Sequence, residues 1–150
     1  MALRVRILVP LVLMAALVGA LHAQTHEITV FKTASCGCCG VWVAHLRENG
    51  FRVRVNDVES TADYQKKHGV PNALRSCHTA TVNGYTIEGH VPASEIQRLL
   101  KERPKAKGLA VPGMPIGSPG MEMGDRRDAY SVLLFDAEGK STVYRHYSAR

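Results

Sequence analysis

Four cysteines are the residues of this chain whose types and spacing most clearly suggest chemistry. Cys36, Cys38 and Cys39 lie within one four-residue segment, and Cys77 follows much later. Adjacent cysteines such as Cys38 and Cys39 pair with each other only under strain, because disulfide geometry is narrow. A framework of stabilising disulfides would spread its cysteines along the chain, so this cluster indicates a reactive site or a metal site. One disulfide beside two incidental thiols is the alternative.

Three methionines form a second group of soft ligands. Apart from Met1 and Met14 near the N-terminus, the methionines are Met114, Met121 and Met123, all within ten residues. They lie among glycines and prolines, where no apolar helix or strand face would use them as core residues. Thioethers combined with thiolates favour Cu(I) over hard cations. A mobile loop with incidental methionines is the alternative.

Two histidines lie close to these groups in the sequence. His78 directly follows Cys77, and His90 comes shortly after a predicted hairpin. Either imidazole could reach a metal near the sulfurs, but for either one alone we expect a surface or capping role more often than ligation. Trp42 could shield the site, and it could equally be the core residue that anchors a helix. The other histidines of the predicted domain are expected to be surface residues or weak candidates: His26, His45, His68 and His146.

The elements that must position these residues are indicated by periodicity and turn residues. Asn49-Gly50 is typical of a helix end, Pro92 of a helix start, and Asn83-Gly84 of a tight hairpin turn. The predicted elements, in chain order, are a strand at 26–31, a helix from about 41 to 49, a strand at 52–58, a short helix at 61–68, strands at 79–82 and 85–88, a helix at 92–102, and a hairpin of strands 130–136 and 141–147.

Residues 103–125 are rich in glycine and proline and have no periodicity, so we expect a long loop that is functional or disordered. The element order is that of the thioredoxin-like plan. We therefore expect an α/β, thioredoxin-like fold with a β-α-β-α-β-β-α core, a long Met/Gly/Pro loop and a C-terminal β-hairpin. In this plan Cys36 and Cys39 lie where the first strand meets the first helix, and Cys77 lies at the nearby entry to the third strand.

The N-terminus has the layout of a secretory signal peptide. Arg4 and Arg6 precede an uncharged apolar run over residues 7–21, and Ala20 and Ala23 are candidate cleavage positions. An uncleaved anchor is the alternative, although the run is short for a membrane span of ~20 residues. Removing residues 1–23, which carry two arginines and no acidic residue, lowers the formal net charge from +6 to +4. That charge does not argue for nucleic acid, and residues 24–150 are expected to form one domain, exported to the periplasm and free of the membrane.

The chain resembles the CopG-type copper-resistance family, many of whose members are described as a domain of unknown function. The resemblance covers nearly all of the predicted mature chain and is carried by the segments 36–42, 76–79, 82–85, 88–92 and 108–121. It implies an exported, thioredoxin-like protein associated with copper clusters bridged by cysteine sulfur. It also implies that Cys36, Cys38, Cys39 and Cys77 are cluster ligands and that the loop containing Met114 closes over them.

Three functions compete. The first is copper binding in periplasmic copper defence, through a multinuclear Cu(I) site with metal-ligand candidates Cys36, Cys38, Cys39, Cys77, His78, His90, Met114 and Met121. Its partners would be copper ions and other periplasmic copper-handling proteins, and conversion between Cu(I) and Cu(II) is left open. The second is a thiol–disulfide oxidoreductase that uses Cys36 and Cys39. Thioredoxin-type enzymes have a cis-proline at the entry to the third strand, however, and this chain has Cys77-His78 there. The third is a structural zinc or disulfide module, for which a methionine loop has little use.

Overall fold

A seven-stranded sheet with three helices organises residues 25–150, the part of the chain that the computed structural model describes. The elements are β1 (Glu27–Lys32), α1 (Gly37–Glu48), β2 (Arg52–Asp57), α2 (Ala62–Lys67), β3 (Thr79–Val82), β4 (Tyr85–Glu88), α3 (Ala93–Glu102), β5 (Gly108–Ala110), β6 (Tyr130–Phe135) and β7 (Ser141–Tyr147). The mixed α/β fold expected from the sequence is confirmed. The predicted signal peptide, residues 1–23, lies outside the described residues.

The strand order brings several chain segments to one end of the sheet. The order is β2-β1-β3-β4-β5-β6-β7, in which β1–β2 and β4–β5 are parallel and the other pairs are antiparallel. Phe31 near the end of β1 pairs with Thr79 at the start of β3, and Thr79 pairs with Glu88 at the end of β4. Glu88 in turn pairs with Ala110 at the end of β5. The segments that follow β1, β4 and β5 and precede β3 therefore meet at this end.

The main core lies between the sheet and helices α1 and α3. The alternation of β1 buries Ile28 and Val30, while α1 buries Trp42 and Leu46 at helical spacing. Helix α3 follows Pro92, whose extended backbone suits a helix start, and it buries Ala93, Ile96, Leu99 and Leu100. These apolar faces hold α1 against the end of the sheet where the segments meet.

The hairpin between β3 and β4 forms as the sequence predicts. Asn83 and Gly84 both have positive φ, 46° and 84°, which is the backbone that a two-residue turn between twisted strands requires. Glycine and asparagine reach this region at low cost. The turn fixes the register of β3 and β4, and so it fixes where the residues before β3 and after β4 lie.

One strand departs from the predicted pattern. Residues 103–125 were expected to be a loop throughout, but β5 lies inside that segment and joins β4 to β6. All three of its residues are buried. A three-residue strand is too short to show periodicity, and Gly108 gives no strand signal although its backbone lies directly against that of Thr86. Among residues 25–150, no helix is long and apolar enough to cross a membrane.

Candidate metal centre

Three of the cysteines lie on the first turn of α1, immediately after β1. Cys36 is the extended N-cap residue of the helix, and its carbonyl accepts a hydrogen bond from Gly40 N at 3.3 Å. Cys36 forms a disulfide with Cys39, while the Cys38 thiol is free and its Sγ lies 3.6 Å from that of Cys36. The positive end of the helix dipole favours thiolate at this position. We call Cys36, Cys38 and Cys39 the helix half of the site.

Cys77 joins this group from the entry to β3. Its thiol is free and partly buried, and the four Sγ atoms of Cys36, Cys38, Cys39 and Cys77 all lie within 4.8 Å of one another. The structure therefore brings together the four sulfurs that the sequence places in two separate segments. Their role as metal ligands stays a prediction.

A second cluster shares Cys77 and adds two histidines. Cys77 Sγ lies 3.3 Å from Nδ1 of His78 and 3.1 Å from Nε2 of His90, and the three ligand atoms lie within 4.8 Å of one another. Both imidazoles have 0 % exposure, so neither is the surface residue that the sequence suggested, and their ligation of a metal stays a prediction. The register of β3 and β4 places both histidines at the end of the hairpin opposite its Asn83-Gly84 turn. We call Cys77, His78 and His90 the sheet half of the site.

Hydrogen bonding orients the imidazole of His90. Its Nδ1 lies 2.8 Å from the Pro119 carbonyl oxygen, which can only accept, so Nδ1 carries the proton. The lone pair of Nε2 then faces Cys77. A fixed tautomer with one free nitrogen is the arrangement seen in histidines that bind metals.

Burial sets the protonation of the sheet half. It lowers the pKa of His78 to about 3, with further lowering by neighbouring His90, and it also lowers the pKa of His90. Burial raises the pKa of the Cys77 thiol to about 11. At neutral pH the two imidazoles are therefore neutral, as metal binding requires, and a cation bound to Cys77 would displace a proton.

Glu88 supports the sheet half from inside the fold. Its side chain has 0 % exposure and accepts hydrogen bonds from Ser76 N at 2.6 Å, Gln65 Nε2 at 2.7 Å and Thr79 Oγ1 at 2.5 Å. Ser76 and Thr79 flank Cys77 and His78, so this carboxyl group fixes the backbone that carries both. Burial raises its pKa to about 7. Sequence reasoning missed Glu88; the available signal was an acidic residue two positions before His90 in an apolar hairpin.

The loop after β5 lies over the helix half. Gly120 has φ +87°, and a Cβ there would lie 2.7 Å from the Cys38 carbonyl oxygen and 3.0 Å from Trp42 N. Only glycine allows this close approach. Earlier in the loop, Gly113 accepts a hydrogen bond from the Ser76 hydroxyl. The loop is thereby fixed beside both halves.

The methionines of this loop differ in exposure. Met114 is 51 % exposed and Met123 is 61 % exposed, whereas Met121, next to Gly120, is partly buried. Ligation by Met114 and Met121 stays a prediction.

Trp42 forms a wall of the site as well as part of the core. Its indole Nε1 donates a hydrogen bond to the Val91 carbonyl at 2.9 Å, and its ring centroid lies 4.3 Å from that of His78. Trp42 is therefore a core residue that also contacts a residue of the sheet half. His45, expected on an exposed face, is partly buried and accepts a hydrogen bond from Ala93 N at 3.1 Å.

The donor atoms fit a soft metal ion once the disulfide is reduced. Two sulfurs on one tetrahedral ion with ~2.3 Å bonds lie about 3.8 Å apart, and a sulfur and a nitrogen about 3.5 Å apart. The 3.6 Å between Cys36 and Cys38 and the 3.1 and 3.3 Å from Cys77 to the imidazoles are close to these separations. Thiolate donors select soft ions such as Cu(I), while imidazole also suits Cu(II) and zinc.

Comparison with known proteins gives a family and two structures. A family model described as a protein of unknown function, DUF411, matches residues 74–121, which include Cys77, His78, His90, Met114 and Met121. Two solved structures of a copper resistance protein copG, Form 2 and Form 1, are similar at 44% and 45% sequence identity. Each match has a TM-score of 0.79 and covers 83% of this chain and 99% of the solved one. No curated protein matches this chain significantly.

Proposed function

This chain belongs to the CopG family of copper-resistance proteins, and on that premise we propose that it is an exported protein that binds copper at its four cysteines. The observation that carries the proposal is the convergence of four sulfur atoms within 4.8 Å. Clustered soft donors of this kind suit Cu(I) far better than hard cations.

The proposed site holds more than one Cu(I) ion per chain. Four thiolates would carry a charge of about −4, and one Cu(I) would neutralise a quarter of it, which leaves a costly charge in a partly buried site. Sulfur can bridge, so several monovalent ions can share the four ligands. His78 and His90 would cap the Cys77 side, and Met121 and Met114 would supply thioether ligands from the loop.

The fold proposed for the site-bearing part is thioredoxin-like. It comprises β2-β1-β3-β4, with α1 following β1 and α3 following β4. In this arrangement the Cys36–Cys39 pair stands at the start of the first helix, and Cys77-His78 stands at the entry to β3. The loop and the β5-β6-β7 extension are additions that cover the site and widen the sheet.

Export to the periplasm is proposed from the sequence of residues 1–23. Copper resistance there would involve copper ions and other periplasmic copper-handling proteins as partners. Conversion between Cu(I) and Cu(II) is a further proposal, because thiolates stabilise Cu(I) whereas imidazoles bind both oxidation states. Oxidation of two Cu(I) ions would supply the two electrons that reduce the Cys36–Cys39 disulfide to two thiolates, and the reverse reaction would return them. Mass spectrometry of protein from the periplasmic fraction tests the first point: a chain that still begins at Met1 would contradict cleavage.

Anaerobic titration of the reduced protein with Cu(I) against a competing chelator tests the copper site. We expect saturation above one equivalent in the wild type and fewer equivalents in Cys38→Ser and Cys77→Ser. Saturation at one equivalent, with both variants binding as much as the wild type, would contradict the multinuclear site.

A thiol–disulfide oxidoreductase is the second candidate, and the Cys36–Cys39 disulfide at the start of α1 is the observation that favours it. A metal-free sample in an insulin-reduction assay separates the two functions. Catalysis that is abolished by Cys39→Ser and unaffected by His90→Ala would support the oxidoreductase. Absence of turnover would leave copper binding as the function.

A further inference from the structure

The disulfide divides the site unequally. Cys36 and Cys39 are joined to each other, which removes two of the three donors of the helix half. The sheet half contains neither residue, and its thiol and two imidazoles are still in contact. An intact group of donors therefore persists in the oxidised protein.

We propose that the disulfide form holds a separate mononuclear site, formed by Cys77, His78 and His90, for one divalent transition-metal ion of the zinc or Cu(II) type. This deepens the proposed function by assigning a second metal-binding state to the same protein. It does not need the multinuclear Cu(I) site to exist, because none of its three ligands takes part in the disulfide.

The geometry of the sheet half suits such an ion. The sulfur-to-nitrogen distances of 3.1 and 3.3 Å are slightly below the ~3.5 Å that two ligands span on a tetrahedral ion, so a small outward movement would admit one. Cys38 Sγ lies within 4.8 Å of Cys77 Sγ and can take a fourth position. The three ligands belong to the start of β3 and the segment after β4, which the hairpin register holds together.

The ligands are also oriented before any ion arrives. Pro119 fixes the tautomer of His90, and the Trp42 ring lies against that of His78. Glu88 holds the backbone on either side of Cys77 and His78. Ligands held by hydrogen bonds and contacts of this kind bind metal with less loss of conformational freedom.

Oxidation changes the kind of metal that the site favours. The reduced protein offers four thiolates, which suit Cu(I), whereas the disulfide form offers two imidazoles with one or two thiolates. Two imidazoles and two thiolates carry a charge of −2, which a divalent ion neutralises. This donor set is typical of zinc and is also used by Cu(II).

Co(II) is the probe for this site, because it substitutes for zinc and gives a sulfur-to-metal absorption band without oxidising thiols. The full predicted mature chain is oxidised with diamide, and the preparation retaining the two free thiols of Cys38 and Cys77 is selected by thiol counting. We expect Co(II) to saturate at one equivalent with a thiolate band, and zinc to displace it.

Three variants, prepared in the same way, locate the ion. His90→Ala and Cys77→Ser should weaken Co(II) binding by about 100-fold or more, whereas the exposed histidine variant His146→Ala should keep the wild-type affinity and thiolate band. Circular dichroism and thermal unfolding show that each variant is folded. Absence of a thiolate band in the folded wild type, or equal affinity in Cys77→Ser, would overturn the site.

The two titrations fail independently. A reduced protein that binds only one Cu(I) would contradict the multinuclear site and leave the Co(II) result standing. An oxidised protein without a thiolate–Co(II) band would contradict the mononuclear site and leave Cu(I) binding unaffected.

Discussion

The helix half and the sheet half each contain three potential metal ligands, which are three cysteines in the helix half and one cysteine with two histidines in the sheet half, and they lie in different structural settings. The helix half lies on one turn of α1, and Cys36 and Cys38 are only partly buried. In the sheet half, His78 and His90 are fully buried, and hydrogen bonds to His90 and to the backbone around Cys77 fix their positions. This difference indicates that the helix half can form or lose the Cys36–Cys39 disulfide while the sheet half keeps its geometry. Four predictions test this division, from the largest expected effect to the smallest.

Gly120→Ala should separate the loop from both halves. The added Cβ would lie 2.7 Å from the Cys38 carbonyl oxygen at a backbone φ of +87°. We expect a loss of roughly 3–5 kcal/mol in the free energy of unfolding, measured with urea, together with weaker Cu(I) binding. Gly40→Ala is the matched control, since a Cβ there meets nothing within 4 Å. Equal stability of the two variants would show that the loop does not hold the halves together.

Acid should destabilise the sheet half of the metal-free protein. Burial lowers the pKa of His78 from 6.5 to about 3, so unfolding takes up a proton between these values. The resulting stability is fully present above pH 6.5 and is lost as the pH falls towards 3. We expect His78 alone to account for about 3 kcal/mol of lost stability by pH 4. His78→Gln should show a smaller decrease in urea-unfolding free energy over this range, and an unchanged pH dependence would contradict the buried neutral state.

Glu88→Gln should weaken the support of the sheet half with little change in volume. At pH 5, below its pKa of about 7, the carboxyl is protonated and, like the amide of glutamine, offers one acceptor oxygen and one donor, so we expect the variant to cost only about 1 kcal/mol there. Burial raises the pKa of Glu88 from 4.5 to about 7, so its own contribution to stability is lost as the pH rises through that range. The cost of the variant should therefore be smaller at pH 8.

Co(II) affinity of the oxidised Glu88→Gln protein should fall about 10- to 100-fold, as for other residues that position metal ligands. The exposed Glu59→Gln is the control for both measurements. Full metal affinity together with reduced stability would show that Glu88 is structural and does not position the ligands.

Met121→Leu should have the smallest effect. We expect Cu(I) affinity to fall by less than about tenfold, or ~1.4 kcal/mol, because a thioether would add to a site already held by thiolates. Met123→Leu is the matched control, because Met123 is 61 % exposed at the end of the same loop. Indistinguishable affinities for the two variants, in competition with a Cu(I) chelator, would remove Met121 from the ligand set.

Much of the fold follows from local signals in the sequence. The strands predicted at 79–82, 85–88 and 141–147 have the observed bounds, because Asn83-Gly84 and Glu138-Gly139 mark the turns beside them. The start of α1 does not follow in this way, since Gly37 and the cysteines give no apolar periodicity and the helix begins four residues before the predicted one. The short β5 is defined by its neighbours β4 and β6 more than by its own residues.

The convergence of the cysteines in the candidate site could be predicted from the sequence, whereas the burial of the residues around them could not. The spacing of Cys36 and Cys39 and the place of Cys77 before a strand depend on local sequence, so their convergence could be inferred. The complete burial of His78, His90 and Glu88 depends on how the hairpin, α1 and the loop pack together. The contact of Gly120 with Cys38 likewise joins residues far apart in the chain, and no local pattern reports it.

The Cys36–Cys39 disulfide and the proposed Cu(I) site use the same two sulfur atoms, so binding of Cu(I) there would alter the equilibrium between the disulfide and the dithiol. An ion that binds the dithiol form more tightly raises the reduction potential of the disulfide, by about 30 mV for each tenfold preference. An ion that prefers the disulfide form lowers the potential by the same rule. The copper concentration around the protein would thereby determine whether a given thiol pool can open this disulfide, and the ambient redox potential would determine how much copper the protein retains.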